Sequence, residues 1–224
     1  MIRLWSTLAL VVALGACSGG ADAPSLQLQV IDAARSAIST RIAPAQPARP
    51  PLTRAVLDTL DGAFLEATRE REDLSGFLYV SARTRDHDPG EITVWRTEND
   101  ETLTVRGGVL ISTRAFGGDL LSAEVQLASG GQGPASGARV MHVFTGDNQQ
   151  VVLTLACDVS DLGPETIEII GDRHATRHLR ERCEGAGGTV VNDYWVGAGN
   201  GPVWQSRQWA GPHIGYLSLR QITD

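Results

Sequence analysis

The chain has 224 residues, room for one domain with a sizeable core. Hydrophobic side chains make up 42% and charged ones 20%, which excludes a disordered chain and suits a globular one. Every basic side chain is arginine, and the net charge of -7 argues against general affinity for nucleic acid or anionic lipid.

The chain opens on a targeting segment. Arg3 supplies a positive start, Leu4 to Leu14 is an almost unbroken apolar run, and Leu14-Gly15-Ala16-Cys17 follows with small residues before a cysteine. The run is shorter than the about 20 apolar residues a spanning helix needs. The pattern resembles the lipobox of bacterial lipoproteins. That likeness implies a signal peptide over residues 1–16 and acylation of Cys17. An ordinary cleaved signal peptide with an incidental cysteine is the alternative. By the sorting rule of such lipoproteins, Ser18 after the cysteine implies the outer membrane, with the body facing the periplasm. Attachment then comes from acyl chains, at about 0.8 kcal/mol per buried CH₂. In an oxidising compartment the two other cysteines, Cys157 and Cys183, are expected to form a disulfide contributing roughly 3 kcal/mol. Two free thiols or a metal pair are the alternatives, and no CxxC accompanies them.

Residues 17–24 read as a tether and residues 25–224 as a single domain. Ser25 to Thr40 repeats apolar residues at three and four, a helix with Ser25 as cap. Ala43 to Pro51 is proline-rich and extended. Thr53 to Asp61 reads as a second short helix, capped by Thr53 and stopped by Gly62. After that the period becomes two. Strands are expected over Phe64–Thr68, Gly76–Ala82, Glu91–Thr97, Thr102–Arg106, Val109–Thr113, Leu121–Leu127, Arg139–Thr145 and Gln150–Cys157. Thr166–Ile170, Thr176–Cys183, a run ending at Val196, a run from Val203 and Ile214–Ile222 complete the set. Gly107-Gly108, Gly146 to Gln149 and the GAGNG of 197–201 read as hairpin turns. The expected fold is all-β. It is a strongly curved antiparallel meander, a half-barrel of about 11–12 strands, with one or two N-terminal helices packed in the concave side.

Few constellations suggest chemistry. His174 and His178 are four apart, but arginines flank them, and a strand spaces them too far for one ion; surface histidines are the plainer reading. Asp86-His87-Asp88 before Pro89-Gly90 is turn chemistry. Residues 133–137 lack the nucleophile-elbow pattern. No metal site, cofactor site or catalytic residue is assigned. Arg114 and Asp119 face each other across a glycine-rich turn and are expected to pair, with a glycan contact as the alternative. Trp195, Trp204 and Trp209, with Arg207 and Gln208, load the C-terminal hairpins with aromatic and polar surface; core anchoring competes with a docking role for the tryptophans.

Three blocks carry a further resemblance. One runs from Trp95-Arg96-Thr97 through Gly108-Val109-Leu110 to Thr113-Arg114-Ala115-Phe116-Gly117-Gly118-Asp119-Leu120-Leu121. The second is Thr176-Arg177-His178 with Glu181-Arg182-Cys183. The third is Tyr194-Trp195-Val196, then Val203-Trp204-Gln205-Ser206-Arg207-Gln208-Trp209 and Gly211-Pro212. Together they resemble the YjbF/GfcB-type lipoproteins of exopolysaccharide and group 4 capsule loci; Phe116 stands where a smaller aliphatic residue is expected. The resemblance implies a non-enzymatic accessory to surface-polysaccharide production or export, without cofactor. It implies outer-membrane and periplasmic secretion proteins as partners, the polysaccharide itself as a possible one, and no nucleic acid. The rival readings are a lipid or glycolipid carrier using the concave face and a periplasmic glycan hydrolase, which needs two carboxylates in one cleft.

Overall fold

Period-two sequence becomes twelve strands: β1 Phe64–Arg69, β2 Leu74–Thr84, β3 Ile92–Arg96, β4 Thr102–Arg106, β5 Val109–Arg114 and β6 Leu120–Glu124, then β7 Gly137–Phe144, β8 Gln150–Ile169, β9 Asp172–Gly185, β10 Gly188–Gly197, β11 Val203–Trp209 and β12 Tyr216–Gln221. The structure is a computed structural model and describes residues 53–59, 61–144 and 149–223. The targeting segment, the tether, the Ser25–Thr40 helix, the proline-rich run and most of the Gly146–Gln149 turn lie outside the described residues.

All pairings are antiparallel, and the sheet order is β5-β4-β3-β2-β1-β12-β11-β10-β9-β8-β7-β6. The first and last strands pair, Ala67 opposite Leu219. The two edges, β5 and β6, are consecutive in the chain, so the short turn between them brings the edges together and nearly closes a barrel. Side chains alternate accordingly. Leu103 and Val105 on β4 and Leu217 and Leu219 on β12 point inward, with half-exposed residues between them.

Among the described residues, the helices expected on the concave side are not found there. Among the described residues the one helix is α1, Arg54–Leu57. The interior is filled instead by strand side chains, with Leu78, Leu103, Leu120, Met141, Leu155 and Leu217 in one cluster. In a sheet this nearly closed, side chains from facing walls meet across the interior. Helix α1 is capped by Thr53 as expected, its Oγ1 accepting from Val56 N at 3.4 Å, but it spans four residues only. Its Arg54 acts as a clamp: Nη2 donates to Ile169 O at 3.3 Å and meets the Asp172 carboxylate at 2.9 Å, and both Nη1 and Nη2 donate to Ile222 O at 3.3 Å.

The largest departure from expectation is β8. Its 20 residues run unbroken through the stretch expected to separate two strands, and β9 pairs with it from Glu184 to Asp172. A bulge between Asp161 and Gly163 carries the strand past Gly163-Pro164. Gly163 takes φ +106, and its N–H donates to Asp161 Oδ1 at 2.8 Å. Cys157 lies directly opposite Cys183 in this hairpin and is bonded to it. The Gly107-Gly108 turn is as expected: at φ +51 and +80, the two glycines form the two-residue loop between Arg106 and Val109. A Cβ on Gly108 would meet Val203 Cγ2 at 2.3 Å, so that turn also presses on β11.

Candidate functional site

Inside the barrel the alternation that buries leucine elsewhere buries a polar network. Arg139 enters from β7, Glu181 from β9, Asn192 and Tyr194 from β10, and Ser206 and Gln208 from β11. Arg139 Nη2 stands 3.2 Å from Glu181 Oε2, with the two side chains only 4% and 3% exposed. The same carboxylate accepts from Asn192 Nδ2 at 2.8 Å and from the Tyr194 hydroxyl at 3.1 Å. Asn192 Oδ1 accepts from Trp209 N at 2.8 Å. Burial pushes the Tyr194 hydroxyl far above its ordinary value, and the Glu181 charge adds to the shift. Burial opposes the Arg139 charge, but Tyr194 and Glu181 outweigh it and raise the guanidinium above its ordinary range.

This network reaches the barrel's seam. Gln208 Oε1 accepts from Leu110 N at 2.8 Å, and Nε2 donates to Gly108 O at 2.9 Å and to Ser206 Oγ at 2.9 Å. An edge strand leaves such backbone groups without a ladder partner, and here one buried amide serves both. Farther along, Thr113 Oγ1 accepts from Leu120 N at 3.0 Å and donates to Asp119 Oδ1 at 2.8 Å. Arg114 donates to Leu120 O at 3.3 Å and to Leu121 O at 3.0 Å. Side chains therefore stitch β5 to β6 where the ladder stops.

Several expected surface residues are thereby reassigned. Arg114 and Asp119 do not pair with each other. Asp119 accepts from Ala115 N at 2.9 Å and Phe116 N at 3.0 Å, while Arg114 serves the carbonyls of β6. Gln208, expected at the surface, is 0% exposed. Trp209 is half-buried and packs against the interior cluster. Trp195 and Trp204 are half-buried and stacked on histidines: Trp195 on His178 at 4.4 Å between ring centroids, Trp204 on His174 at 3.8 Å. Trp204 is the extra residue of a bulge, since Trp195 faces Gln205 and Val196 faces Val203. Arg207 holds Glu70 with two bonds, Nε to Oε1 at 2.9 Å and Nη2 to Oε2 at 2.8 Å, and lies 3.6 Å over the Tyr216 ring. Burial works against the Glu70 charge, but the bonds from Arg207 and Ser218 prevail and hold its carboxyl below the ordinary value. Cys17 lies outside the described residues.

Sequence reasoning missed the surroundings of His178. It is not a plain surface histidine: Nε2 meets Asp193 Oδ1 at 2.8 Å and Nδ1 meets Glu165 Oε2 at 3.2 Å, carboxylates from the two flanking strands. Strand register brings them together, and sequence spacing does not reveal it. The Cys157–Glu181–Cys183 group has its ligand atoms within 4.8 Å of one another, but the sulfurs are bonded to each other and offer no thiolate. The carrier reading needs an apolar bore, whereas this interior holds a buried ion pair.

A cavity of about 120 Å³ lies where the β4–β5 turn, the start of β11 and the end of β12 come together. Trp95 and Ser206, each 3% exposed, line it from below, and the Gly107-Gly108 turn and Gln132 line it from the rim. Glu91 is the one carboxylate among its lining residues, so it lacks the carboxylate pair that a glycan hydrolase needs.

A family model described as group 4 capsule polysaccharide lipoprotein gfcB, YjbF matches residues 32–222. A crystal structure of the hypothetical lipoprotein YmcC from Escherichia coli (K12) superposes with a TM-score of 0.64 at 17% identity, over 91% of this chain and 98% of that one. At that identity the likeness speaks to the fold. No curated protein matches the chain. The matched span contains all three sequence blocks, and Thr113, Arg114, Asp119, Glu181, Tyr194, Ser206 and Gln208 from those blocks are among the residues that build the network and stitch the seam, with Arg139 and Asn192 from outside the blocks.

Proposed function

Because the chain belongs to the YjbF family of group 4 capsule polysaccharide lipoproteins, we propose that it is a non-enzymatic, lipid-anchored accessory to the production or secretion of a capsule or exopolysaccharide. The match over residues 32–222 carries the reading. The anchor is Cys17 at the start of a tether over residues 17–24, and the body over residues 25–224 faces the periplasm from the outer membrane. Its role is to dock a secretion partner or the glycan. The docking face is the outer side of β9 to β12, where the stacked Trp195–His178 and Trp204–His174 pairs and Arg207 on Tyr216 lie close together. Such stacks present rigid aromatic surface at low conformational cost, which suits a docking role.

The test is deletion of the gene followed by complementation. Loss of surface polysaccharide on deletion, and restoration by the wild-type chain but not by Cys17→Ala, is the expected outcome. Unchanged polysaccharide in the deletion strain contradicts the reading.

A further inference from the structure

We propose that the cavity beside the β4–β5 turn is a binding site for a single pyranose unit of a saccharide chain. The proposal rests on the capsule reading for its biological ligand, but not for its chemistry.

The walls carry the argument. Leu65, Val105 and Leu219 line the cavity with Trp95, which is 3% exposed, and give it an apolar patch against which the C–H groups of a sugar ring can pack. Hydroxyls of Thr93 and Ser206 and the amide of Gln132 line the same space. These groups both donate and accept, as vicinal sugar hydroxyls require of a partner. Ser206 is fixed before any ligand arrives, because its Oγ already accepts from Gln208 Nε2 at 2.9 Å. At the rim Arg83 Nε lies 3.8 Å from Glu91 Oε1 and Arg85 Nη2 lies 3.5 Å from Glu91 Oε2, so the one carboxylate there is held by two guanidiniums and a polyhydroxylated ligand meets donors as well as an acceptor. The volume of about 120 Å³ and the polar walls suit one ring and not an acyl chain.

The rim is also held in place. Gly107 N donates to Glu91 O at 2.9 Å, Gly133 N donates to Gly107 O at 2.8 Å, and Ala128 N donates to Gly133 O at 3.1 Å. A Cβ on Gly107 would meet Gly131 O at 2.2 Å. The loop that carries Gln132 is thus seated directly on the β4–β5 turn, so the polar groups are placed without a ligand. Such placement lowers the ordering cost of binding.

The experiment uses the acylated full-length protein in a detergent without a sugar headgroup. Its probes are methyl α-glucoside, methyl α-galactoside and methyl α-mannoside, together with oligosaccharides released by mild acid from the host's own surface polysaccharide. Saturation-transfer NMR and calorimetry are read on wild type, on Gln132→Ala with Arg83→Ala, and on Leu162→Ala, a change at an exposed residue of β8. The expected result is binding of at least one probe, weakened about tenfold or more in the rim double variant at unchanged Tm, and unchanged in Leu162→Ala. Absence of binding by every probe at tens of millimolar overturns the proposal. So does binding that the rim variant keeps, since the site is then elsewhere. If deletion of the gene removes the polysaccharide while no probe binds, the capsule reading stands and the cavity proposal falls. If deletion changes nothing while a methyl glycoside binds at the rim, the reverse holds.

Discussion

Glu181 and Arg182 are neighbours on β9, and each has an Arg–carboxylate partner, yet the two pairs live in different solvents. Glu181 points into the barrel and meets Arg139 at 3.2 Å, with both side chains almost fully buried. Arg182 points out and meets Glu184 at 3.0 Å, with side chains 58% and 64% exposed. The distances hardly differ. The inner pair has no water to fall back on, so Asn192 and Tyr194 complete the carboxylate's bonding. The outer pair loses little when broken, because water replaces either partner. One residue's step along a strand thus separates a fold-determining contact from a decorative one.

The sharpest way to break this comparison is Glu181→Gln, which strands the Arg139 charge in the interior. Urea unfolding should show a loss of about 3–5 kcal/mol. Arg139→Met together with Glu181→Leu should recover most of it, because no charge then remains buried. Next comes the staple beside the network. Cys157→Ser with Cys183→Ser should lower stability by roughly 3 kcal/mol in the same assay. Gln208→Leu leaves Leu110 N and Gly108 O without their partner and should cost about 1–3 kcal/mol.

Tyr194 gives a pH dependence of definite sign. Its folded-state value is raised, so its stabilising effect is complete below the unfolded value near 10 and is lost as pH climbs above it. Unfolding free energy should fall by about 1.4 kcal/mol per pH unit there, and Tyr194→Phe should remove that slope. The smallest effect is expected outside: Arg182→Ala should change stability by less than about 1 kcal/mol.

The sheet was legible because period two survives along most strands, with Leu103 and Val105 or Leu217 and Leu219 marking the dry face. The unbroken β8 was not, because Gly163-Pro164 has the composition of a turn and only the partner strand shows it to be a bulge. The interior of β11 was hidden for a different reason. Ser206 and Gln208 alternate with Gln205 and Arg207, so both faces read as polar and neither announces itself as buried. The same ambiguity let Arg114 and Asp119 read as a pair across a turn, when each bonds the backbone around a seam that only the closed sheet creates. The sequence blocks themselves were visible; what they do depends on register between distant strands.

The claim that side chains rather than a ladder close the barrel is tested most directly at one amide. In the wild-type protein the Leu110 N–H, bonded to Gln208 Oε1 in the interior, should exchange with solvent as slowly as the amides of β4. In Gln208→Leu its exchange should accelerate by about tenfold or more while β4 keeps its protection. A wild-type Leu110 amide that exchanges as fast as that of the exposed Gly117 would contradict the account.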